Sequence, residues 1–371
     1  MKKTIILSAG IAILSCASCL AQSASEVLEA AKRANTYFMH KYEDPTQPSF
    51  VKRARPSNLW TRAVYYEGIM ALNEIDPQQA YLDYVDRWGA FHKWGPRNGN
   101  ETVDADNQCC FQTYIMRYNQ VGGEEKLANI RKNFDHQIAC GTNQDWTWID
   151  AIQMAMPAFA EFAKTTGERK YLDYAIRSYT WTRDTLAGGL FNKPEGLWWR
   201  DKNFVAPYKE KDGQNCYWSR GNGWVYAALC RTMNELSPKD KYYKMLKADF
   251  ILMSQALLKC QREDGFWNAS LVSQDFAGKE LTGTSLFVYG MAWGIRHGIL
   301  KKKDYLPVID KGIAAMLSAV HKDGFLGYVQ GSGDRPASSQ PVFYEREPDF
   351  DDYGLGCFLL GATEVYKLKN K

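Results

Sequence analysis

The sequence predicts an all-α fold, an (α/α)6 barrel made of six helical hairpins. Three observations lead there. After the first 21 residues the chain reads as helix, turn, helix, turn, with twelve stretches of helical apolar periodicity and no linker between them. Asp264-Gly265-Phe266-Trp267 and Asp323-Gly324-Phe325-Leu326 echo each other two helices and two loops apart, each following a long helix. A period of that length marks a repeated helical hairpin. Finally, stretches such as 287–295 and 359–365 are apolar on more than one side, as helices of an inner, covered layer must be. An open solenoid is the rival arrangement. The unequal loops, rich in Trp, Gly and Asp, and the lack of a polar capping repeat at either end argue for closure.

The first helix is predicted over 25–42, with Ser23 or Ser25 as cap and Val27, Leu28, Ala31, Ala34 and Phe38 on its buried side. The second runs over 58–75 and stops at Asp76-Pro77, because proline disfavours α conformation in the residue before it. The others fall at 78–94, 106–120, 123–139, 145–165, 168–185, 219–235, 240–261, 282–298, 303–320 and 352–368. Gly122-Gly123, Thr166-Gly167, Ser237-Pro238 and the two Asp-Gly pairs punctuate them. Longer loops at 43–57, 186–217, 262–281 and 322–350 would line a cleft at one end of the barrel, the last as a rim or lid.

Residues 1–21 read as a signal peptide. Lys2 and Lys3 precede a short apolar run from Ile5 to Leu14, and Cys19-Leu20-Ala21 offers a cleavage site before Gln22. The expectation is export, to a periplasm, of a single-domain product covering 22–371. Ile13-Leu14-Ser15-Cys16 also fits a lipobox, so a lipid-anchored product is the alternative. No later run reaches transmembrane length. Lys2 and Lys3 account for two of the four net positive charges, which leaves +2 on the remainder. That balance excludes a charge-driven nucleic-acid or membrane partner. The five histidines are scattered, with no metal-ligand spacing, so neither a metal nor another cofactor is expected. Beyond the leader, the seven cysteines are odd in number and dispersed. They read as buried thiols rather than a disulfide framework, with one or two bridges left open. Oligomeric state is not legible.

Chemistry concentrates in Cys216-Tyr217-Trp218-Ser219-Arg220-Gly221-Asn222-Gly223-Trp224, which runs straight into a helix. Trp218 and Trp224 offer flat apolar faces of the kind sugars stack on. Arg220 is a fork for a carboxylate, and Asn222 can bond a hydroxyl. Gly221 and Gly223 are expected to take positive φ and let the backbone approach a ligand. Buried aromatics at a helix start are the competing explanation. With no phosphate loop and no serine or cysteine nucleophile signature, the acid–base candidates are carboxylates. Asp150 lies in the aromatic, apolar stretch 145–157, where desolvation would raise its pKa toward that of a proton donor near neutral pH. Asp106 precedes an apolar helix within 104–114. Helix capping competes as the role of each.

These segments resemble the unsaturated rhamnogalacturonyl hydrolases of glycoside hydrolase family 105 and the related unsaturated glucuronyl hydrolases of family 88. The similarity spans nearly all of 22–371. It is carried by Trp218–Trp224, by Trp148-Ile149-Asp150-Ala151-Ile152-Gln153-Met154, by Asp106-Asn107 with Gln112-Thr113-Tyr114, and by Asp352-Tyr353-Gly354-Leu355-Gly356. The family fold is an (α/α)6 barrel. The resemblance implies removal of a 4,5-unsaturated uronic acid from the non-reducing end of lyase-generated oligosaccharides, by hydration of the vinyl ether. Asp150 would protonate C4, and its conjugate base or Asp106 would direct water to C5. Trp218, Arg220, Asn222, Trp224, Trp148, Trp199 and Tyr353 would bind the substrate. One departure stands out: after Gly196-Leu197 the family often has an aromatic pair and then His-Gly, whereas here the chain reads Trp198-Trp199-Arg200-Asp201-Lys202. This leaves the uronate epimer and aglycone open between the rhamnogalacturonyl and glucuronyl classes. An ordinary glycosidase or a non-catalytic glycan-binding protein on the same barrel is the alternative.

Overall fold

The computed structural model describes residues 22–370 except Lys52. The predicted leader, with its lipobox, lies outside the described residues. Among the described residues twelve long helices form: α1 (Ala24–Lys41), α2 (Trp60–Ile75), α3 (Gln79–Phe91), then, after the single-turn α4 (Ala105–Gln108), α5 (Phe111–Val121), α6 (Glu125–Ala139), α7 (Asp150–Thr166), α8 (Arg169–Asp184), α9 (Ser219–Asn234), α10 (Lys241–Cys260), α11 (Leu281–Arg296), α12 (Lys302–Ser318) and α13 (Asp352–Lys369). Two short antiparallel hairpins, β1–β2 (Ser49–Val51, Arg53–Arg55) and β3–β4 (Phe191–Asn192, Leu197–Trp198), decorate the loops.

The ring closes. Helices α2, α5, α7, α9, α11 and α13 each pack on the next, and α13 packs back on α2. The outer helices α1, α3, α6, α8, α10 and α12 lie against them. Burial follows the layers. On α11 every residue from Leu281 to Gly294 is buried, whereas α8, in the outer ring, buries one side only. This is the pattern read from the helices apolar on more than one side. Closure depends on small residues where α2 meets α13. A Cβ placed on Gly356 would sit 2.2 Å from the Val64 carbonyl oxygen, so only glycine fits. Among the described residues no helix is long and apolar enough to cross a membrane.

Three local expectations are corrected. The stretch predicted as one helix over 106–120 is two, because helical pairing lapses at Cys109-Cys110. The helix predicted from 145 begins at Asp150: the Ile149 N–H donates to the Arg200 carbonyl (3.0 Å), and Trp148 bridges Asp201, which holds the preceding backbone extended. Gly221 and Gly223 are helical rather than positive in φ. They serve packing instead: a Cβ at 223 would come within 2.9 Å of Leu286. All seven described cysteines are free thiols, five of them buried.

Candidate active site

The N-terminal ends of α2, α4 and α7 converge on an open cleft of about 290 Å³ lined by Trp60, Asp106, Trp148, Asp150, Met154, Arg200 and Ser332-Gly333-Asp334. Converging helix N-termini give the cleft a positive backbone potential that suits an anionic ligand. Asp150 is the first residue of α7 and only 8% exposed. Its N-cap, Ile149, has no capping side chain, so helix capping does not account for the carboxyl. Asp106 sits in the single turn α4, behind Asp104, whose side chain accepts from the Asp106 N–H (2.9 Å). Asp104 is therefore the cap there, and Asp106 is left to face the cleft.

Arg200 was not singled out from the sequence as a site residue, yet it is the cleft's central cation. The pairing of 148–149 with 200–201 sets its position. From there its Nε donates to Asp150 Oδ2 (3.3 Å) and its Nη1 to Asp201 Oδ2 (2.7 Å). Burial raises the Asp150 pKa, with the guanidinia of Arg200 and Arg220 opposing. Asp106 is pushed up to about 8, first by burial and then by the charges of Asp104 and Asp150, with Arg200 and Arg97 opposing. Two carboxyls in one desolvated space cannot both ionise freely, so Asp106 and Asp150 compete for a proton. Arg200 favours the anion at Asp150, which leaves the proton to Asp106.

The aromatic motif takes a different part from the one its composition suggests. Trp218 is 1% exposed and Trp224 fully buried, so neither presents a face to a sugar. Arg220, also fully buried, spends Nη1 on the Gln330 carbonyl (2.9 Å) and Nη2 on the Gly331 carbonyl (3.0 Å), with its guanidinium 4.4 Å over the Trp218 ring. In this conformation it has no free fork for a substrate carboxylate. Asn222 accepts from the Trp198 N–H (2.8 Å) and donates to the Trp198 and Trp218 carbonyls. Tyr353 is buried under Trp60, 5.2 Å between rings, and its hydroxyl donates to the Gln330 carbonyl. Trp199 is half-buried against Tyr217, outside the cleft lining. These residues form the wall behind the cleft. Trp224 and Tyr353 back Trp60, while Trp218, Arg220 and Tyr353 hold the loop that delivers Ser332, Gly333 and Asp334. Of the predicted set, Asp106, Asp150 and Trp148 meet in the cleft. Trp60 and Trp148 supply its aromatic surface.

The profile of Glycosyl Hydrolase Family 88 matches residues 30–369. The chain belongs to this family. The match falls on the family that the sequence reading set beside family 105, and it makes the protein a glycoside hydrolase. Two relatives are each described as an unsaturated 3S-rhamnoglycuronyl hydrolase. The protein of Alteromonas sp. is 32% identical over 70% of this chain, and that of Formosa agariphila is 28% identical over 84%. The chain spans 66% of the Alteromonas relative's length and 85% of the Formosa relative's. Among solved structures, a family 88 glycosyl hydrolase from Bacteroides vulgatus superposes with a TM-score of 0.84 at 29% identity, covering 94% of this chain and all of that one. The likeness extends across the helical barrel of the family 88 chain. The 198–202 segment, where the sequence departs from the family pattern, is the one that brings Arg200 into the cleft.

Proposed function

We propose that this family 88 chain is an unsaturated uronyl hydrolase. It removes a 4,5-unsaturated uronic acid from the non-reducing end of lyase-generated oligosaccharides, with a rhamnose-type aglycone as first choice. The observation that carries this reading is the coupled carboxyl pair Asp106 and Asp150 in one cleft, with one guanidinium and two indoles beside it. The names of the two relatives support the substrate class.

The chemistry follows from the charges. The uronate carboxylate docks on Arg200 as a charge-assisted pair, and the ring lies against Trp60 and Trp148. The new anion draws the Arg200 charge away from Asp150 and adds negative charge nearby. Both effects raise Asp150, so the shared proton moves onto it. Asp150 gives that proton to C4, the C4=C5 electrons form the new C–H bond, and the cation at C5 is stabilised by the ring oxygen. Water attacks C5 and yields its proton to a carboxylate of the pair. The hemiketal opens by breaking the bond from C5 to the ring oxygen. The resulting hemiacetal at C1 releases the aglycone as an alcohol. The anomeric carbon is never attacked, so the carboxylate-separation rules for retaining and inverting glycosidases do not apply.

The test is a panel of lyase-generated oligosaccharides followed by the ultraviolet absorbance of the unsaturated uronate. The proposal expects that absorbance to fall while saturated oligosaccharides survive. Cleavage of saturated ends would make the protein an ordinary glycosidase, and binding with no loss of absorbance a glycan-binding protein.

A further inference from the structure

Glu67 lies on α2, two turns in from Trp60, and is fully buried on the barrel axis. It is not among the residues that line the cleft. It grips two residues of other helical segments. Oε1 accepts from the Cys109 thiol (3.4 Å), and Oε2 accepts from Gln153 Nε2 (2.9 Å). Cys109 stands three residues after Asp106, and Gln153 three residues after Asp150. Each is therefore about one helical turn behind a cleft carboxyl, on the side facing the axis.

Asp106 needs such an anchor. Its carboxyl accepts no hydrogen bond from the described residues, and its single-turn helix is separated from α5 by the lapse at Cys109-Cys110. On the α7 side, Gln112 Nε2 donates to the Gln153 carbonyl (2.8 Å), and Arg231 Nε donates to Gln112 Oε1 (3.1 Å) while its Nη1 lies 3.6 Å from Glu67. The network joins α2, α5, α7 and α9 with the Cys109 turn. Glu67 is the member that contacts both carboxyl-bearing segments.

We propose that Glu67 is a positioning residue that sets the separation of the Asp106 and Asp150 carboxyls by holding Cys109 and Gln153 across the barrel axis. This rests on the reading that those two carboxyls do the chemistry. Burial pushes Glu67 up to about 7, with the Arg231 charge and the bonds from Cys109 and Gln153 opposing, and melting of each variant reports whether the loss of charge beside Arg231 disturbs the fold.

The experiment measures kcat and KM on a lyase-generated oligosaccharide, with thermal melting recorded for each variant. In Glu67→Gln the amide points an N–H at one of its two donors and breaks one arm of the grip. Cys109→Ala removes the other arm. Both are expected to lower kcat by about 10- to 100-fold, the scale of an ångström-level misplacement, with KM within about twofold of wild type. Cys109→Ser keeps a donor and recovers most of the loss. Because both act through one network, the double variant loses less than the product of the two single losses. A folded Glu67→Gln with wild-type kcat overturns the proposal. So does a Cys109→Ser as impaired as Cys109→Ala, since the effect would then be packing. Asp150→Asn, run alongside, separates the two claims. If it is active, the carboxyl reading itself has failed; if it is dead while Glu67→Gln is normal, only the positioning role has.

Discussion

Replacing Asp106 with asparagine tests the shared proton without any substrate. Burial and the neighbouring charges of Asp104 and Asp150 push Asp106 up to about 8 from an ordinary 3.8. Between those values the folded state binds a proton that the unfolded state has lost, so stability falls as pH rises. The slope is about 1.4 kcal/mol per pH unit for one fully shifted group. The cleft is open to water on one side, and screening reduces this to about half. The expected cost is then about 2 kcal/mol between pH 5 and pH 8. Asp106→Asn cannot lose that proton. The stability difference, variant minus wild type, should therefore grow by about this amount over the same interval and level off above pH 8. Subtracting the two curves cancels the other buried acids, Glu67, Glu161 and Asp352, whose carboxyls are also raised by burial. The assay is urea unfolding at pH 5, 6, 7 and 8, read from midpoints and slopes. A difference that stays flat with pH would show that Asp106 is ionised throughout, and the one-proton pair would be refuted.

Other predictions follow from the same geometry. Arg200→Gln should raise KM for unsaturated oligosaccharides by about 10- to 100-fold, the value of one charge-assisted hydrogen bond, and lower the melting temperature, because buried Asp150 and Asp201 lose their guanidinium. Gln330 accepts from Trp218 Nε1 and donates to the carbonyls of Arg335, Pro336 and Ser338, so Gln330→Leu strands several buried polar groups. It should cost about 3 kcal/mol in urea unfolding and raise KM as the 332–334 rim loosens. For the proposed leader, N-terminal sequencing of the exported protein should read Gln22. A chain beginning at an acylated Cys16 would mean lipid anchoring instead.

The barrel was legible because its signals are periodic. Twelve apolar repeats, and helices apolar on more than one side, leave little freedom in how the layers arrange. Helix ends were less so: α7 starts at Asp150 because of a backbone pairing with Arg200 that is fifty residues away in the chain. Asp150 was legible as a cleft residue because it lies in an aromatic, apolar stretch, Asp106 because it stands before an apolar helix, and Trp148 only through the family resemblance. Trp218, Arg220, Asn222 and Trp224 have the same chemistry in a binding site or in the wall behind one. Long-range partners decide between the two roles here: Gln330 for Trp218 and Arg220, Trp198 for Asn222 and Trp60 for Trp224. Trp60 met the same criterion as Trp218, an indole at a loop-to-helix junction, and that signal was available. Arg200 was visible only as a departure from a family pattern. Its meaning depends on a β-bridge that composition does not reveal.

The destination of the first proton separates vinyl-ether hydration from attack at the anomeric carbon. Secondary deuterium isotope effects on kcat/KM report this directly, using substrate labelled at C4 or at C1 of the unsaturated uronate. Proton delivery to C4 predicts an inverse effect at C4, as that carbon becomes tetrahedral, and none at C1. A normal effect at C1 with none at C4 would mean the anomeric bond breaks first, and vinyl-ether hydration in this cleft would be contradicted.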